Sequence, residues 1–412
     1  MGQLSPGPAW LAIALLGAGG IAAPGCRQRA QAVQSESALR LAVRQMRPAV
    51  ERATGLAFKR DPVVLRRTRA QVREYVIHKL GQELPPAELR GVEAAYRVFG
   101  LIPDSLDLGK MMIDVFTEQI AGYYDPDSNA LFVPADIEPF QERLVVSHEL
   151  VHALQDQYLN LDSLIGQKRQ NDRRSAAQAI LEGQATLAQI QVLMPEQQLD
   201  SLPSFWDLQK ALRNQQDQMR VFAQAPLWLR ESLLFPYLGG ADFVRWFGKT
   251  HAGKQPFGPG MPTSTEQILH PDRYAAGDLP ARLAFTAPAP DPMGHEDNLG
   301  EFEIRLLFQQ LLGDEAVAAR LAAGWGGDRY RVLGRDWDVL VWYTVWDDAV
   351  AADRFARGLT QAWSRRARVG HQSRIDRLTI DGMSGVRLVD APASWSGWRN
   401  LPQVRVVGKS TP

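Results

Sequence analysis

Cysteine is nearly missing from this chain of 412 residues, in which Cys26 stands alone. A single cysteine excludes an intrachain disulfide, so stability must come from the core and from any bound metal. A basic excess is missing too, because 46 Lys and Arg residues are balanced by 46 Asp and Glu residues. Without such an excess, we expect no nucleic-acid partner.

Long apolar runs are also scarce, and the clearest one covers residues 9–23. About fifteen residues are too few for a membrane-spanning helix but suit the core of an export signal. We therefore expect residues 1–26 to be a signal peptide and the protein to be periplasmic or at the cell surface. Cys26 occupies the place of a lipidated residue, which would make a lipid anchor the only membrane contact. Two departures weaken the lipoprotein signal: residues 1–8 contain no Lys or Arg, and Ala23 stands where Leu is usual, three residues before the cysteine. Ordinary signal cleavage is the alternative.

The rest of the sequence predicts a mainly helical α+β protein with a small mixed sheet. Residues 27–55 predict a tether and an amphipathic helix. Residues 56–293 predict the main domain, in which a variable helical stretch near 195–235 is interpreted as an insertion. Residues 294–412 predict a small α+β unit, since strands and helices alternate there.

The strongest helical pattern, over residues 140–158, carries His148-Glu149-Leu150-Val151-His152, an H-E-x-x-H motif. Helix residues four apart are separated by about 6 Å along the axis and about 40° around it, so both imidazoles can reach one metal ion. Glu149 lies between them in angle, where it can act as a base toward a water activated by the metal. The motif predicts one zinc ion with two histidine ligands. A histidine pair without metal is the alternative.

A zinc site needs a third protein ligand, and the next long helix, predicted over residues 175–194, offers Glu182. Glu182 is the only acidic residue of that helix, and a lone buried carboxylate is costly unless it is paired or bound to metal. Gly183 and Ala185 are expected to leave room for the motif helix. Asp172 is the competing acid, but the charged residues around it predict a solvated loop.

These segments resemble the gluzincin group of zinc metallopeptidases, which combine an H-E-x-x-H helix with a Glu on a following helix. They are particularly similar to a group of largely uncharacterised bacterial metallopeptidases. The matching stretches are Gly122-Tyr-Tyr-Asp-Pro126, His148–Gln157 and Leu181–Thr186, followed by residues 235–240, 264–271 and 324–330. The resemblance implies a zincin-like domain with one zinc ion held by His148, His152 and Glu182, and Glu149 as base. The continuation typical of aminopeptidases is missing, so exopeptidase activity does not follow.

Supporting residues can be suggested from position. Asp156, one turn beyond the second motif histidine, is a candidate hydrogen-bond partner for an imidazole N–H, with a surface Asp as the alternative. Tyr237, His270 and Tyr274 are candidates for stabilising an oxyanion, and His270 is favoured among them. The strand predicted at residues 130–133 is expected to offer an edge to an extended peptide.

The sequence as a whole predicts an exported zinc metallopeptidase acting on a peptide or protein substrate. The alternative is a zincin-shaped periplasmic lipoprotein that binds a partner or peptide without cleaving it. Retention of Glu149 favours the enzyme, because a binding scaffold has no need of a base. The substrate, the cleavage preference, the oligomeric state and the role of residues 294–412 stay open.

Overall fold

The computed structural model describes residues 36–161, 169–205, 219–287, 294–334, 337–366 and 368–409. The protein is α+β, with about 54% of the described residues in helices and 19% in strands arranged as small sheets. This confirms the predicted fold class at that level. The predicted signal peptide, Cys26 and the tether lie outside the described residues. Within the described ranges no helix combines the length and apolar character needed to cross a membrane.

The first part of the chain surrounds a three-stranded sheet in the order β1-β3-β2, with β1 parallel and β2 antiparallel to β3. Its elements are α1 (Glu36–Thr54), β1 (Val63–Arg67), α2 (Arg69–Glu83), α3 (Pro86–Phe99), α4 (Leu108–Gln119), β2 (Tyr123–Asp125), β3 (Ala130–Pro134) and α5 (Pro139–Gln155). The prediction that the strand at 130–133 is an edge strand is therefore wrong, since β3 is paired on both sides. The outer strands are β1 and β2, and β2 lies where the sequence predicts only a turn.

Helix α1 confirms the helix predicted within residues 27–55. It buries an apolar stripe that includes Leu39, Val43 and Val50 against Leu150 and Leu154 of α5. The stripe repeats every three or four residues, as expected for a helix with one face in the core. The first described helix is thus part of the core around the H-E-x-x-H helix.

Helix α5 is buried on every side from Val145 to Gln155. It begins with Pro139 at its first position, where the missing N–H costs nothing. A helix buried all round has no solvated face for its polar residues. The histidines and the glutamate of the motif must therefore find partners inside the protein.

The next part of the chain brings two long helices together. Its elements are α6 (Asn171–Leu193), α7 (Arg220–Gln224), α8 (Leu227–Thr250), α9 (Thr265–Leu269) and α10 (Pro271–Ala275). Helix α8 begins inside the stretch near 195–235 that the sequence assigns to an insertion. Trp228, Leu229 and Phe235 lie in the main hydrophobic core, so this part of the stretch is integral to the fold.

Helices α6 and α8 cross with their backbones in contact at Gly183 and Gly240. A Cβ atom on Gly183 would lie 2.2 Å from the carbonyl carbon of Gly240, and one on Gly240 would lie 1.9 Å from the carbonyl oxygen of Ala179. Only glycine allows this approach. Gly183 therefore makes room for α8 and not, as the sequence suggests, for α5, whereas Ala185 does pack in the core cluster that contains α5 residues.

The last part of the chain consists of β4 (Ala281–Phe285), β5 (His295–Asp297), α11 (Gly300–Leu312), α12 (Glu315–Ala322), β6 (Trp325–Leu333), β7 (Val339–Trp346), α13 (Ala349–Ser364), β8 (His371–Ile380), β9 (Met383–Pro392) and β10 (Val404–Lys409). An antiparallel sheet has the order β5-β6-β7-β9-β8, and β10 pairs with β4. The domain boundary predicted at 293/294 stays a prediction. The main hydrophobic core contains residues from both sides of this position. The carboxylate of Glu303 also accepts hydrogen bonds from Tyr96 and Trp228.

The helix crossing leads to a prediction about stability. Gly240→Ala should lower the free energy of unfolding by about 2 kcal/mol or more, because the added methyl overlaps the Ala179 carbonyl and forces the helices apart. Urea denaturation measures this change. The matched control is Gly248→Ala in the same helix, where a Cβ meets nothing within 4 Å. That variant should be more stable by up to about 1 kcal/mol, and equal effects at both positions would contradict the crossing.

Candidate metal centre

Three buried side chains converge on one point between α5 and α6. The Nε2 atoms of His148 and His152 lie 3.1 Å apart. Glu182 Oε2 lies 3.0 Å from the first and 3.3 Å from the second. The two predicted histidine ligands and the predicted third ligand thus form a buried group that could hold a metal ion.

The shape of this triangle suits a tetrahedral metal site. Tetrahedral ligands about 2.0–2.1 Å from zinc lie about 3.3 Å from one another, close to the three observed separations. Two imidazole nitrogens and one carboxylate oxygen are also a common zinc ligand set, and three protein ligands leave a fourth position open. Geometry and donor chemistry therefore both fit one zinc ion.

The electrostatics of the triad favour a cation. Burial opposes ionisation of Glu182, but the two adjacent imidazoles outweigh it and hold the pKa of this carboxyl at about 2. Burial lowers the pKa of His148, which favours the neutral imidazole that a metal requires. Burial acts the same way on His152, but the carboxylate of Glu182 outweighs it and raises the pKa of His152 to about 9. Without metal, the negative charge of Glu182 is thus balanced by a proton on His152.

Glu149 lies beside the triad on the same helix and is fully buried. Its Oε2 accepts a hydrogen bond of 2.8 Å from the backbone N–H of Tyr124 in β2. Its Oε1 is buried and has no hydrogen-bond partner among the described residues. Burial raises the pKa of Glu149 to about 8. One oxygen is therefore anchored to β2 while the other is available to a bound water or substrate.

The orientation of His152 is set by Gln155 and not by the predicted Asp156. Gln155 Oε1 lies 2.8 Å from His152 Nδ1 and can only accept, so Nδ1 carries the proton and Nε2 faces the metal position. Asp156 instead accepts hydrogen bonds from Tyr124 and Arg60. The prediction for Asp156 is wrong because one residue along a helix turns the side chain by about 100°.

Gln155 belongs to a chain of amides that runs outward from the metal centre. Its Nε2 donates to the Leu181 carbonyl at 3.0 Å and to Gln184 Oε1 at 2.9 Å. Gln184 Nε2 donates to Gln255 Oε1 at 2.9 Å, and Gln255 Nε2 donates to the Thr54 carbonyl at 2.9 Å. Because backbone carbonyls only accept, they fix the direction of every amide in the chain. The orientation of a metal ligand thus depends on contacts that reach the end of α1.

The three residues predicted as candidates for stabilising an oxyanion lie in different parts of the structure. The Tyr237 ring lies against the His148 ring, with centroids 5.8 Å apart. His270 belongs to another cluster, where its Nε2 lies 2.9 Å from Glu301 Oε1. Tyr274 donates to the Gly260 carbonyl. The geometry therefore brings Tyr237 to the metal centre and gives no support to the favoured candidate, His270.

Asp172, the competing acid, is not a loop residue. It lies in the first turn of α6, is 2% exposed and accepts hydrogen bonds from the backbone and hydroxyl of Thr265. Burial raises its pKa to about 8. It precedes Glu182 by ten residues, or about 15 Å of helix, so it cannot share the metal centre. The prediction of a solvated loop is wrong because the buried partner of Asp172, Thr265, lies 93 residues further along the chain.

Comparisons with known proteins do not identify the function of this chain. Residues 291–394 match a domain of unknown function, DUF8575. No curated protein is similar to the chain. A solved protein of novel fold from Chloroflexus aurantiacus, to which hydrolase activity is ascribed, aligns with a TM-score of 0.38 and 15% identity, covering 61% of this chain and 92% of that one. So weak a likeness carries no argument about the present fold or activity.

The role of Gln155 can be tested by zinc binding. Gln155→Leu should weaken zinc affinity by about 10- to 100-fold, because the His152 ring loses the acceptor that orients it. Competition with a chelating dye measures the affinity. The matched control is Gln189→Leu, which removes a comparable hydrogen bond of α6, to the Leu144 carbonyl, away from the triad. Equal affinities in both variants would show that Gln155 does not orient the ligand.

Zinc binding should also depend on pH. With its pKa raised to about 9, His152 is protonated at neutral pH in the metal-free protein and must release a proton to bind metal. Zinc affinity should therefore rise with pH, by up to about tenfold per unit, and level off above about pH 9. Calorimetry in buffers of different ionisation enthalpy should detect about one proton released at pH 7. Affinity independent of pH between 6 and 8 would contradict this protonation state.

Proposed function

We propose that this protein is a zinc metallopeptidase of the gluzincin type. The observation that carries the proposal is the buried triangle of His148, His152 and Glu182 with the carboxylate of Glu149 beside it. A site that merely stores metal has no use for a second carboxylate next to its ligands. The family resemblance of the motifs supports the same class, and a zincin-like domain is part of the proposal.

The chemistry divides between the ion and the chain. His148, His152 and Glu182 would hold the zinc ion, which would supply Lewis acidity and make a nearby water more acidic. Glu149, held by the Tyr124 N–H through one oxygen, accepts the proton of the attacking water with the other and passes it to the leaving amine. The peptide bond is thereby replaced by a carboxylic acid and an amine.

Two neighbouring features suit a peptide substrate. Strand β2 is one of the two outer strands of its sheet and contacts Glu149 through the Tyr124 N–H, so an extended peptide that adds along this strand would lie beside the candidate base. The Tyr237 ring lies against the His148 ring, and its hydroxyl is our candidate donor to a developing oxyanion. We further propose that the enzyme acts after export, on the basis of residues 1–26.

The decisive variant is Glu149→Gln. It should retain one zinc per chain while its rate of casein cleavage falls by at least about 100-fold, because the amide cannot accept the proton. Zinc is measured by elemental analysis of the purified protein, and cleavage by release of soluble peptides. The control is Glu138→Gln at the exposed N-terminus of the same helix, which should leave both quantities unchanged.

A second variant separates metal binding from catalysis. Glu182→Gln removes the anionic ligand and should lose zinc together with activity. Full zinc content in this variant would remove Glu182 from the site. If the wild type binds zinc but cleaves neither casein nor any member of a peptide library, the enzyme is excluded and a peptide-binding protein takes its place.

A further inference from the structure

A polar cavity of about 560 Å³ lies at the outer end of the amide chain that leads away from His152. It is bounded by the end of α1, by α6 and α8, and by the segments that follow these two helices. Gln184 and Gln255, the two outer members of the amide chain, both line this cavity, and Gln155 connects them to His152. None of the three metal ligands lines it. A ligand in the cavity would therefore contact the residues that orient a metal ligand without contacting the metal centre.

Both amides keep hydrogen-bonding capacity for a ligand. Gln184 accepts a hydrogen bond from Gln155 and donates one to Gln255, which in turn donates one to the carbonyl of Thr54. A primary amide carries two N–H donors and two acceptor lone pairs. Among the described residues, each of the two amides thus leaves one N–H and one lone pair unused. The chain already fixes their orientation, so a ligand that binds them immobilises fewer freely rotating side chains.

The remaining polar groups of the wall favour an uncharged ligand. Three further glutamines line the cavity, namely Gln191, Gln197 and Gln198. Lys249 lies 3.1 Å from Asp200, so these two charges are paired. Arg245 donates to Asp242 and to backbone carbonyls, and Lys254 is exposed to solvent. The groups left for a ligand are mainly amides, which both donate and accept and therefore match hydroxyl groups, which also do both.

The floor and the size of the cavity suit a ligand built from sugar rings. Leu187, Val244 and Phe247 line the cavity and belong to the main hydrophobic core. The C–H groups of a sugar ring can pack on such a floor while the hydroxyls at its edge reach the amides. A cavity of about 150 Å³ holds benzene, or about 25 Å³ for each non-hydrogen atom. At that density a volume of about 560 Å³ takes about 22 atoms, close to the size of a disaccharide.

We propose that this cavity binds an uncharged saccharide of disaccharide size, and that its occupation strengthens zinc binding at the triad. Hydrogen bonds from the ligand to Gln184 and Gln255 hold both amides in the orientation that supports Gln155, and through it the metal-facing tautomer of His152. The inference rests on the zinc site of the proposed function and not on peptide cleavage. Coupling between two binding sites is reciprocal, so zinc should strengthen saccharide binding by the same factor, at least about fivefold.

The test is calorimetric titration of the full-length protein, metal-free and zinc-loaded, with maltose, cellobiose and diacetylchitobiose. At least one of these saccharides should bind the zinc-loaded protein with a dissociation constant below about 1 mM. It should bind the metal-free protein at least about fivefold more weakly. Zinc affinity, measured by competition with a chelating dye, should rise by the same factor when that saccharide is present at saturation.

Two variants separate saccharide binding from its coupling to zinc. Gln255→Leu interrupts the amide chain, so zinc affinity should no longer respond to a saturating saccharide. Gly248→Trp places a large ring on the cavity wall, at a position where a Cβ meets nothing within 4 Å. It should weaken saccharide binding by about tenfold or more while leaving zinc affinity without saccharide unchanged. The matched control is Gln189→Leu on α6, outside both the cavity and the amide chain, which should keep the saccharide binding and the coupling of the wild type.

Each result decides between the two sites. Failure of all three saccharides to bind a protein that holds zinc, or equal saccharide affinity with and without zinc, would overturn this inference alone. Coupling that survives in Gln255→Leu would overturn the role of the amide chain. A wild type that binds no zinc would overturn the proposed function, and the coupling with it.

Discussion

Three electron-pair donors that face one another in a buried space repel unless a proton or a metal ion lies between them. His148, His152 and Glu182 place their donor atoms 3.0–3.3 Å apart at the centre of the helical part of this protein. Removing such groups from water is costly, and only a cation restores the balance. The rest of the site can be understood from this constraint. Gln155 holds one imidazole in the tautomer that faces the cation, and Tyr124 holds the second carboxylate, Glu149, beside it.

The backbone makes this convergence possible through the close crossing of α6 and α8. Gly183 follows Glu182 directly, and Gly240 lies three residues beyond Tyr237, so the crossing fixes the relative position of a metal ligand and the ring that covers His148. Helices usually pack with their axes 8–10 Å apart, and glycines allow the shorter end of that range. The relative position of Glu182 and the Tyr237 ring is therefore a consequence of one packing contact.

The sequence predicts those features of the site that depend on residues close together in the chain. The four-residue spacing of His148 and His152 defines a ligand pair on any helix, and a lone carboxylate on an apolar helix identifies Glu182. Features that depend on contacts distant in sequence were missed. The three residues of β2 are too few to show alternation, and Asp172 finds its partner 93 residues away. Asp156 is predicted in place of Gln155 because helical spacing alone does not show which neighbour faces the ligand.

A chain of side-chain amides connects the metal centre to α1, the first described helix. His152, Gln155, Gln184 and Gln255 form successive hydrogen bonds that end on the carbonyl of Thr54, the last residue of α1. Metal that binds only the folded arrangement stabilises it, by about 4 kcal/mol when free zinc exceeds the dissociation constant a thousandfold. That is a large share of a typical net stability of about 5–15 kcal/mol. In a chain whose single cysteine forms no internal disulfide, a metal ion held by the triad would thus act as a cross-link between α5 and α6 and would also supply the Lewis acid of the proposed reaction.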